Sequence, residues 1–163
     1  MPLSMHQASV PLFVRALGNL SAILEKGAAH PDGDALVEAR LAPDMLTLAG
    51  QIQRASDTAK GCAARLAGIE PPSFPDDEKT FAQLQARIAK TLDFLRSVKP
   101  EQIDGSEDKP VTLKAGPREL KFTGASYLLT FAIPNFYFHV TTAYAILRHK
   151  GVPLGKMDYI GGV

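Results

Sequence analysis

One histidine stands out as a residue that could do chemistry. His139 lies in segment 132–151, where aromatic and small residues repeat with the spacing of a helix. An imidazole that ionises near neutral pH can act as a general base, as a hydrogen-bonding anchor or as a metal ligand. The alternative is a core histidine bonded to a neighbouring helix, because buried polar groups normally find a partner. We favour this structural role.

Two further side chains of the same segment could line a pocket with His139. Tyr144 offers a hydroxyl group, and Asn135 lies four residues before the histidine. Eight of the twelve Phe and Tyr residues fall between residues 122 and 159. This aromatic content supplies either the bulky part of a core or the wall of an apolar pocket, which would suit a small, partly apolar ligand.

Gln53 and Asp57 are the pocket candidates of the second predicted helix. They lie four residues apart on one helical face and could reach toward His139. The apolar pattern of that helix instead places Asp57 on the outer side, which favours a solvated carboxylate. Cys62 lies within the apolar pattern and is expected to be a buried, structural thiol. The sequence contains no phosphate loop, dinucleotide fingerprint or nucleophile elbow.

Composition limits the classes of protein and partner. The chain has 163 residues and a formal net charge of +1, so we expect one domain over residues 1–163 and no affinity for nucleic acid. No apolar run reaches the ~20 residues of a membrane helix, and the first residues do not resemble a signal peptide. A single cysteine allows no internal disulfide and fits the cytoplasm.

Helical periodicity marks four long segments: 4–29, 43–66, 77–98 and 134–150. In the second, apolar residues recur at alternating three- and four-residue steps, the spacing of a bundle-packing face. Pro43 fits the first turn of that helix, and Asp44 suits the positive end of its dipole. Pro11 either bends the first helix or marks its true start, and Pro100 ends the third.

Residues 111–123 alternate apolar and polar side chains on both sides of Ala115-Gly116-Pro117, which predicts a β-hairpin. We expect an irregular arm after Gly151. Four amphipathic helices of roughly 20 residues most simply form a four-helix bundle. The predicted fold is therefore all-α, with a small β-hairpin between the third and fourth long helices.

Four segments, taken in order, resemble those of a known family: Met5-His-Gln-Ala-Ser-Val-Pro11, Arg40-Leu-Ala-Pro-Asp-Met45, Ile103-Asp-Gly-Ser-Glu107 and Pro134-Asn-Phe-Tyr-Phe-His-Val-Thr-Thr-Ala-Tyr144. The resemblance covers nearly the whole chain. The family is uncharacterised, is described only as a domain of unknown function, and is grouped with the DinB/YfiT-like proteins, which are regarded as metalloenzymes. The resemblance implies a four-helix bundle of up-down-down-up topology, frequently as a homodimer.

The wider superfamily also implies a metal site of three histidines, one on the second helix and an H-x-x-x-H pair on the fourth. This chain departs from that pattern. The second helix has no histidine, and the partner position of His139 is either Asn135 or Ala143. His139 is the only plausible ligand, and a Zn or Ni ion needs further donors that Asn and Gln supply poorly.

We therefore expect a cytoplasmic helical-bundle protein with an incomplete metal site. It would bind a small molecule or form a homodimer through helix faces, without nucleic acid or membrane as a partner. The alternative is a metal-dependent transferase or hydrolase of the DinB/YfiT type that uses His139 as one ligand.

Overall fold

The computed structural model describes residues 2–162. In chain order its elements are α1 (Val10–Ala28), a 3₁₀ helix (Gly33–Glu38), α2 (Leu48–Ala67), α3 (Phe81–Ser97), α4 (Pro100–Ile103), strands β1 (Pro110–Ala115) and β2 (Arg118–Thr123), α5 (Gly124–Tyr127), a π-helical segment (Leu128–Ala132), α6 (Ile133–His149) and α7 (Lys156–Ile160). The four long helices α1, α2, α3 and α6 form the predicted bundle.

Contacts at the two ends of each helix pair establish the directions of the helices. Helices α2 and α6 are antiparallel, α2 and α3 are parallel, α1 and α3 are antiparallel, and α1 and α6 are parallel. For α2 and α6 the pairs are Gln51–His139 and, just before α6, Arg65–Tyr127. For α2 and α3 they are Asp57–Arg87 and, beyond the end of α3, Leu66–Lys109. For α1 they are Ser21–Gln85 and Gly27–Phe81 with α3, and Phe13–Phe136 and Gly27–Leu147 with α6. The topology is up-down-down-up, as expected, and α1 lies diagonally opposite α2.

Two helices begin later than the apolar periodicity predicted, because an N-cap residue sets the first turn of each. The expected start of the second helix at Pro43 is wrong, because Thr47 caps α2 by accepting a hydrogen bond from the Gly50 N–H at 3.1 Å. Residues 39–47 form a loop instead, held by the Leu48 N–H, which donates to the Ala39 carbonyl at 2.8 Å. Likewise α3 begins after a capping box at Thr80.

The structure also tests the predictions made for two prolines, for the hairpin and for the last segment. Pro11 lies in the first turn of α1, so it marks the helix start and does not bend the helix. Helix α3 ends before Pro100, which itself begins the short α4. The hairpin is confirmed, with Pro110 opposite Thr123 and Ala115 opposite Arg118. The expected irregular arm after Gly151 contains one ordered turn, α7.

A buried arginine holds the long connector 68–80 that lets α2 and α3 run parallel. The Arg87 guanidinium is 1% exposed and lies 2.9–3.0 Å from oxygens of Asp57, Asp76 and Glu78. Burial opposes ionisation of Glu78, but hydrogen bonds from Arg87 and Gln53 outweigh it and hold the pKa of Glu78 below its ordinary value. Of the three carboxylates only Glu78 is buried with Arg87, and removing one partner of a buried ion pair typically costs about 3–5 kcal/mol, so this pair does most to hold the connector.

The hydrophobic core is one continuous cluster that the four long helices share, and the hairpin lies at one end of it. A side chain on Gly124, at the corner between β2 and α5, would collide with the Ser106 carbonyl. The absence of a Cβ there lets the hairpin corner close against the loop after α4. Within residues 2–162, no helix is long and apolar enough to cross a membrane.

Candidate functional site

Polar side chains pair along the contact between α2 and α6. We call these pairs the polar seam: Gln51–His139, Thr58–Asn135 and Arg65–Tyr127. The three residues on α2 are seven apart, which keeps them on one face of the helix. The seam therefore fixes which face of α6 lies against α2 and at what register.

The π-helical segment Leu128–Ala132 explains how the α6 side of the seam stays aligned. Tyr127 precedes this wider turn, whereas Asn135 and His139 follow it on α6. Without the extra residue of a π-turn, Tyr127 would rotate away from the face that carries Asn135. Burial raises the pKa of Tyr127 to about 12, so its hydroxyl stays neutral and accepts the hydrogen bond from Arg65 at 3.1 Å.

His139 is 9% exposed and is oriented by a buried amide. Its Nδ1 lies 2.7 Å from the Oε1 of Gln51, while the Nε2 of Gln51 donates to the Leu46 carbonyl at 3.3 Å. Because the amide nitrogen already donates, the amide oxygen must accept, so the Nδ1 of His139 carries the proton in the neutral ring. The Nε2 of the imidazole is then left with its lone pair.

The surroundings of His139 favour the neutral ring. Burial lowers its pKa below the ordinary value near 6.5, and the positive charge of Arg54 lowers it further. Among the hydrogen bonds and ion pairs of residues 2–162, none joins a carboxylate to the His139 ring, so no negative charge in contact with the ring offsets these effects. A neutral imidazole with one free lone pair can accept a proton, a hydrogen bond or a metal ion.

The other proposed pocket residues do not gather around His139. The Gln53 amide donates to Glu78 at 2.9 Å. Asp57 is one-third exposed, in line with its expected outward position, and it is also bonded to Arg87 and Lys60. Asn135 lies one turn from His139 and donates to the Thr58 hydroxyl at 2.8 Å. The remaining candidate, Tyr144, lies on the opposite, outer side of α6.

The donors near His139 do not make a metal site of the kind that the resemblance implies. Residues 2–162 contain no group of three or more His, Cys, Asp or Glu side chains placed to hold an ion. Gln51 and Asn135 are neutral amides already engaged in hydrogen bonds, and Ala143 is buried in the core. Burial raises the pKa of the Cys62 thiol to about 12, which supports its structural role.

The outward side of α6 is the second unusual feature of this helix. Between residues 122 and 147 the sequence has no Asp, Glu, Lys or Arg. We call the outward-facing residues the α6 face: Tyr137, Phe138, Thr141, Tyr144 and Ala145. Phe138 is 54% exposed, and a groove of about 490 Å³ separates it from Leu41 of the 39–47 loop. Ordinary surface helices carry charged residues on this side.

Sequence reasoning missed Gln51 and Leu41. Gln51 lies beside Ile52 on the apolar side of α2, so a polar residue within the core-facing pattern was the available signal. No such signal was present for Leu41. Its position near Phe138 depends on the 39–47 loop, and a helix was expected from residue 43 onward in place of that loop.

Comparisons with known proteins agree with this architecture. A family model described as "Domain of unknown function (DUF1993)" matches residues 5–160. The crystal structure of a DinB family member from Shewanella denitrificans is 38% identical, covers 97% of this chain and 92% of its own, and has a TM-score of 0.87. No curated protein sequence is significantly similar to this chain.

The neutral His139 predicts a loss of stability on acidification. Because its pKa is lower in the folded chain than in the unfolded one, the unfolded chain binds more protons just below about pH 6.5. The stabilisation that the neutral His139 adds to the folded state is complete above that pH. It is lost as the pH falls toward the pKa of His139 in the folded chain, by at most about 1.4 kcal/mol per pH unit. Urea unfolding of the wild type and of His139→Gln, between about pH 7.5 and about pH 5.5, measures it.

The wild type should lose more stability than His139→Gln over this interval. Gln51→Glu is the matched variant, because a carboxylate at that place would favour the imidazolium and reverse the sign of the contribution. Equal losses in the wild type and in His139→Gln would contradict the prediction.

Proposed function

We propose that this chain, which belongs to the DUF1993 family, is a binding protein that works as a homodimer paired through the α6 face. The observation that carries the proposal is an exposed Phe138 on a helix with no charged residue before Arg148. Its single buried thiol is compatible with the cytoplasm, where we place this role. The members of its family are the natural place to look for the same surface.

Symmetry explains why an uncharged face suits a second copy of the same chain. In a two-fold dimer, residues near the axis lie close to their own copies, so a charged residue there would repel itself. Phe138, Thr141 and Ala145 avoid this repulsion. They also offer one bulky side chain beside two small ones, which is the shape that lets two helices interlock.

The groove beside Leu41 gives the bulky side chain of the second copy a place to pack. It is lined by Leu41 and by five residues of α6: Tyr137, Phe138, Thr141, Thr142 and Ala145. A Phe138 ring from the partner copy would bury apolar surface that water otherwise contacts. A small apolar ligand is the alternative occupant of the same groove.

The α6 face is too small to hold a dimer by itself. Helix α6 has 17 residues and is about 25 Å long. One side of so short a helix cannot cover the area of about 800 Å² that a stable interface buries on each partner. The interface must therefore extend to the elements that flank α6. Exposed apolar side chains are present on both, Leu41 and Leu46 in the 39–47 loop and Met157 and Ile160 in α7.

A charge on the α6 face should break the dimer. Phe138→Glu places two carboxylates near the symmetry axis, and we expect the apparent mass at micromolar concentration to fall from dimer to monomer. Leu129→Glu is the matched control, because Leu129 is 62% exposed on the π-helical segment, lies nine residues before Phe138 and is not a residue of the α6 face. Sedimentation velocity of the three proteins measures the difference.

The proposal requires a dimeric wild type, a monomeric Phe138→Glu and a dimeric Leu129→Glu. A monomeric wild type would refute self-association. A dimeric Phe138→Glu would place the interface elsewhere on the chain. Thermal shifts by small apolar compounds that disappear in Phe138→Glu, in a protein that is monomeric throughout, would favour the ligand as the occupant of the groove.

A metal-dependent transferase or hydrolase is the second candidate, and one observation favours it. The hydrogen bond from the Nδ1 of His139 to Gln51 is the kind of contact that orients a histidine whose other nitrogen binds a metal. Water or a substrate would have to supply the remaining ligands of a Zn or Ni ion. Because the amides near His139 are neutral and poor metal ligands, the structure supports this candidate less well than it supports the homodimer.

Metal analysis of the untagged protein tests the second candidate. A near-stoichiometric transition metal that is absent from His139→Ala would support it. We expect less than about a tenth of an equivalent, because a single imidazole holds such ions weakly. His149→Ala, on the exposed end of the same helix, controls for adventitious binding to surface histidines.

A further inference from the structure

One segment next to the α6 face is attached to the bundle in an unusual way. We call residues 155–162 the strap; it consists of Gly155, α7 and the two glycines after α7. None of the residues of α7 is fully buried, and of its side chains Tyr159 packs against the edge of the hydrophobic core. Its attachment depends on polar contacts to α1 and aromatic contacts to α6.

The polar contacts hold the strap chiefly by its backbone, and one ion pair, between Lys26 of α1 and Asp158 at 2.7 Å, adds a side-chain contact. The amide of Asn19 donates to the carbonyls of Tyr159 and Ile160 at 3.1 and 3.0 Å. The guanidinium of Arg15 donates to the carbonyls of Ile160 and Gly162 at 3.2 and 2.6 Å. Two of these carbonyls end the last turn of α7 and the third follows it; carbonyls at a helix C-terminus lack a partner within the helix, so α1 supplies the donors that they need.

The aromatic contacts join the strap to the α6 face. The Tyr159 ring lies 6.1 Å from the ring of Tyr144 and 6.5 Å from that of Tyr137. Its hydroxyl also accepts a hydrogen bond from Thr141 at 3.0 Å. Tyr159 therefore continues the α6 face on the side opposite Leu41, where the proposed interface needs more area.

We infer that the strap is a detachable segment whose docking on α1 completes the self-association surface of α6. The inference rests on the proposed homodimer and adds a means of regulating it. Segments held by few buried contacts open locally without unfolding the rest of a protein. When the strap opens, Tyr159, Met157 and Ile160 leave the interface, so strap docking and dimerisation must strengthen each other.

Gly161 offers a substitution that opens the strap without altering the bundle. Its φ is +78°, which side chains other than that of glycine rarely adopt, and an added Cβ would collide with the Asn19 side chain. Gly162→Ala is the matched control, because a Cβ on Gly162 meets no atom within 4 Å. The two variants make the same chemical change at adjacent residues.

Two measurements on the full-length chain test the inference. Hydrogen exchange, at a concentration low enough to keep the protein monomeric, reports the Asp158 and Gly161 amides, which donate to Gly155 and Met157 inside the strap. Sedimentation then gives the dimer dissociation constant. We expect Gly161→Ala to exchange these amides about tenfold faster and to weaken the dimer about tenfold, with α1 and α2 protected as in the wild type. Gly162→Ala should match the wild type in both.

Each other outcome overturns a definite part of the inference. Faster exchange in Gly161→Ala with an unchanged dissociation constant would show that the strap lies outside the interface, while the homodimer stands. Unchanged exchange would show that the strap is not detachable. A wild type that is monomeric in sedimentation would refute the proposed homodimer and its coupling to the strap, while the exchange data would still report whether the strap opens.

Discussion

The polar seam between α2 and α6 determines where the other features of this protein lie. A helix as apolar as α6 could pack against α2 at several registers if only hydrophobic contacts were involved, because hydrophobic attraction has no direction. Hydrogen bonds do have direction, and a buried donor or acceptor left without its partner costs about 1–3 kcal/mol. The Gln51–His139 pair is buried and the other two pairs of the seam are partly buried, so the first pair contributes most to making a shifted register unfavourable. Once the inner side of α6 is fixed in this way, its outer side must carry Phe138 and Tyr144.

Most polar groups of the seam have a structural role, and only one of them is left to bind a ligand. The amides of Gln51 and Asn135 and the hydroxyl of Thr58 are engaged in hydrogen bonds, so the lone pair on His139 Nε2 is what the seam leaves for a ligand. The charged groups of the bundle that could have assisted it are collected elsewhere, around Arg87, where they hold the connector between α2 and α3. The buried charge around Arg87 therefore serves the structure, while Phe138 stays exposed on α6, and the proposed homodimer rests on that exposed ring.

The long helices and the hairpin were predictable because they depend on local patterns. Segment 134–150 predicted α6 to within one residue at each end, and the alternation on both sides of Ala115-Gly116-Pro117 predicted the paired strands. The start of α2 was not predictable from periodicity, since the Thr47 cap competed with Pro43, and a hydrogen bond to Ala39 stabilises the loop between them. The partner of His139 required knowing which α2 residue lies opposite it. The partners of Asp57 depended on α2 and α3 being parallel, a long-range fact that no local pattern carries.

The proton on His139 gives the most direct test of the seam. Nitrogen-15 NMR of the imidazole in the folded protein at neutral pH, with His139→Gln to assign the signals, distinguishes the two neutral tautomers and the imidazolium. The hydrogen bond to Gln51 predicts a neutral ring with the proton on Nδ1 and none on Nε2. A ring protonated on Nε2, or on both nitrogens, would contradict the pairing from which the register of α6 and the place of its outer face have been derived.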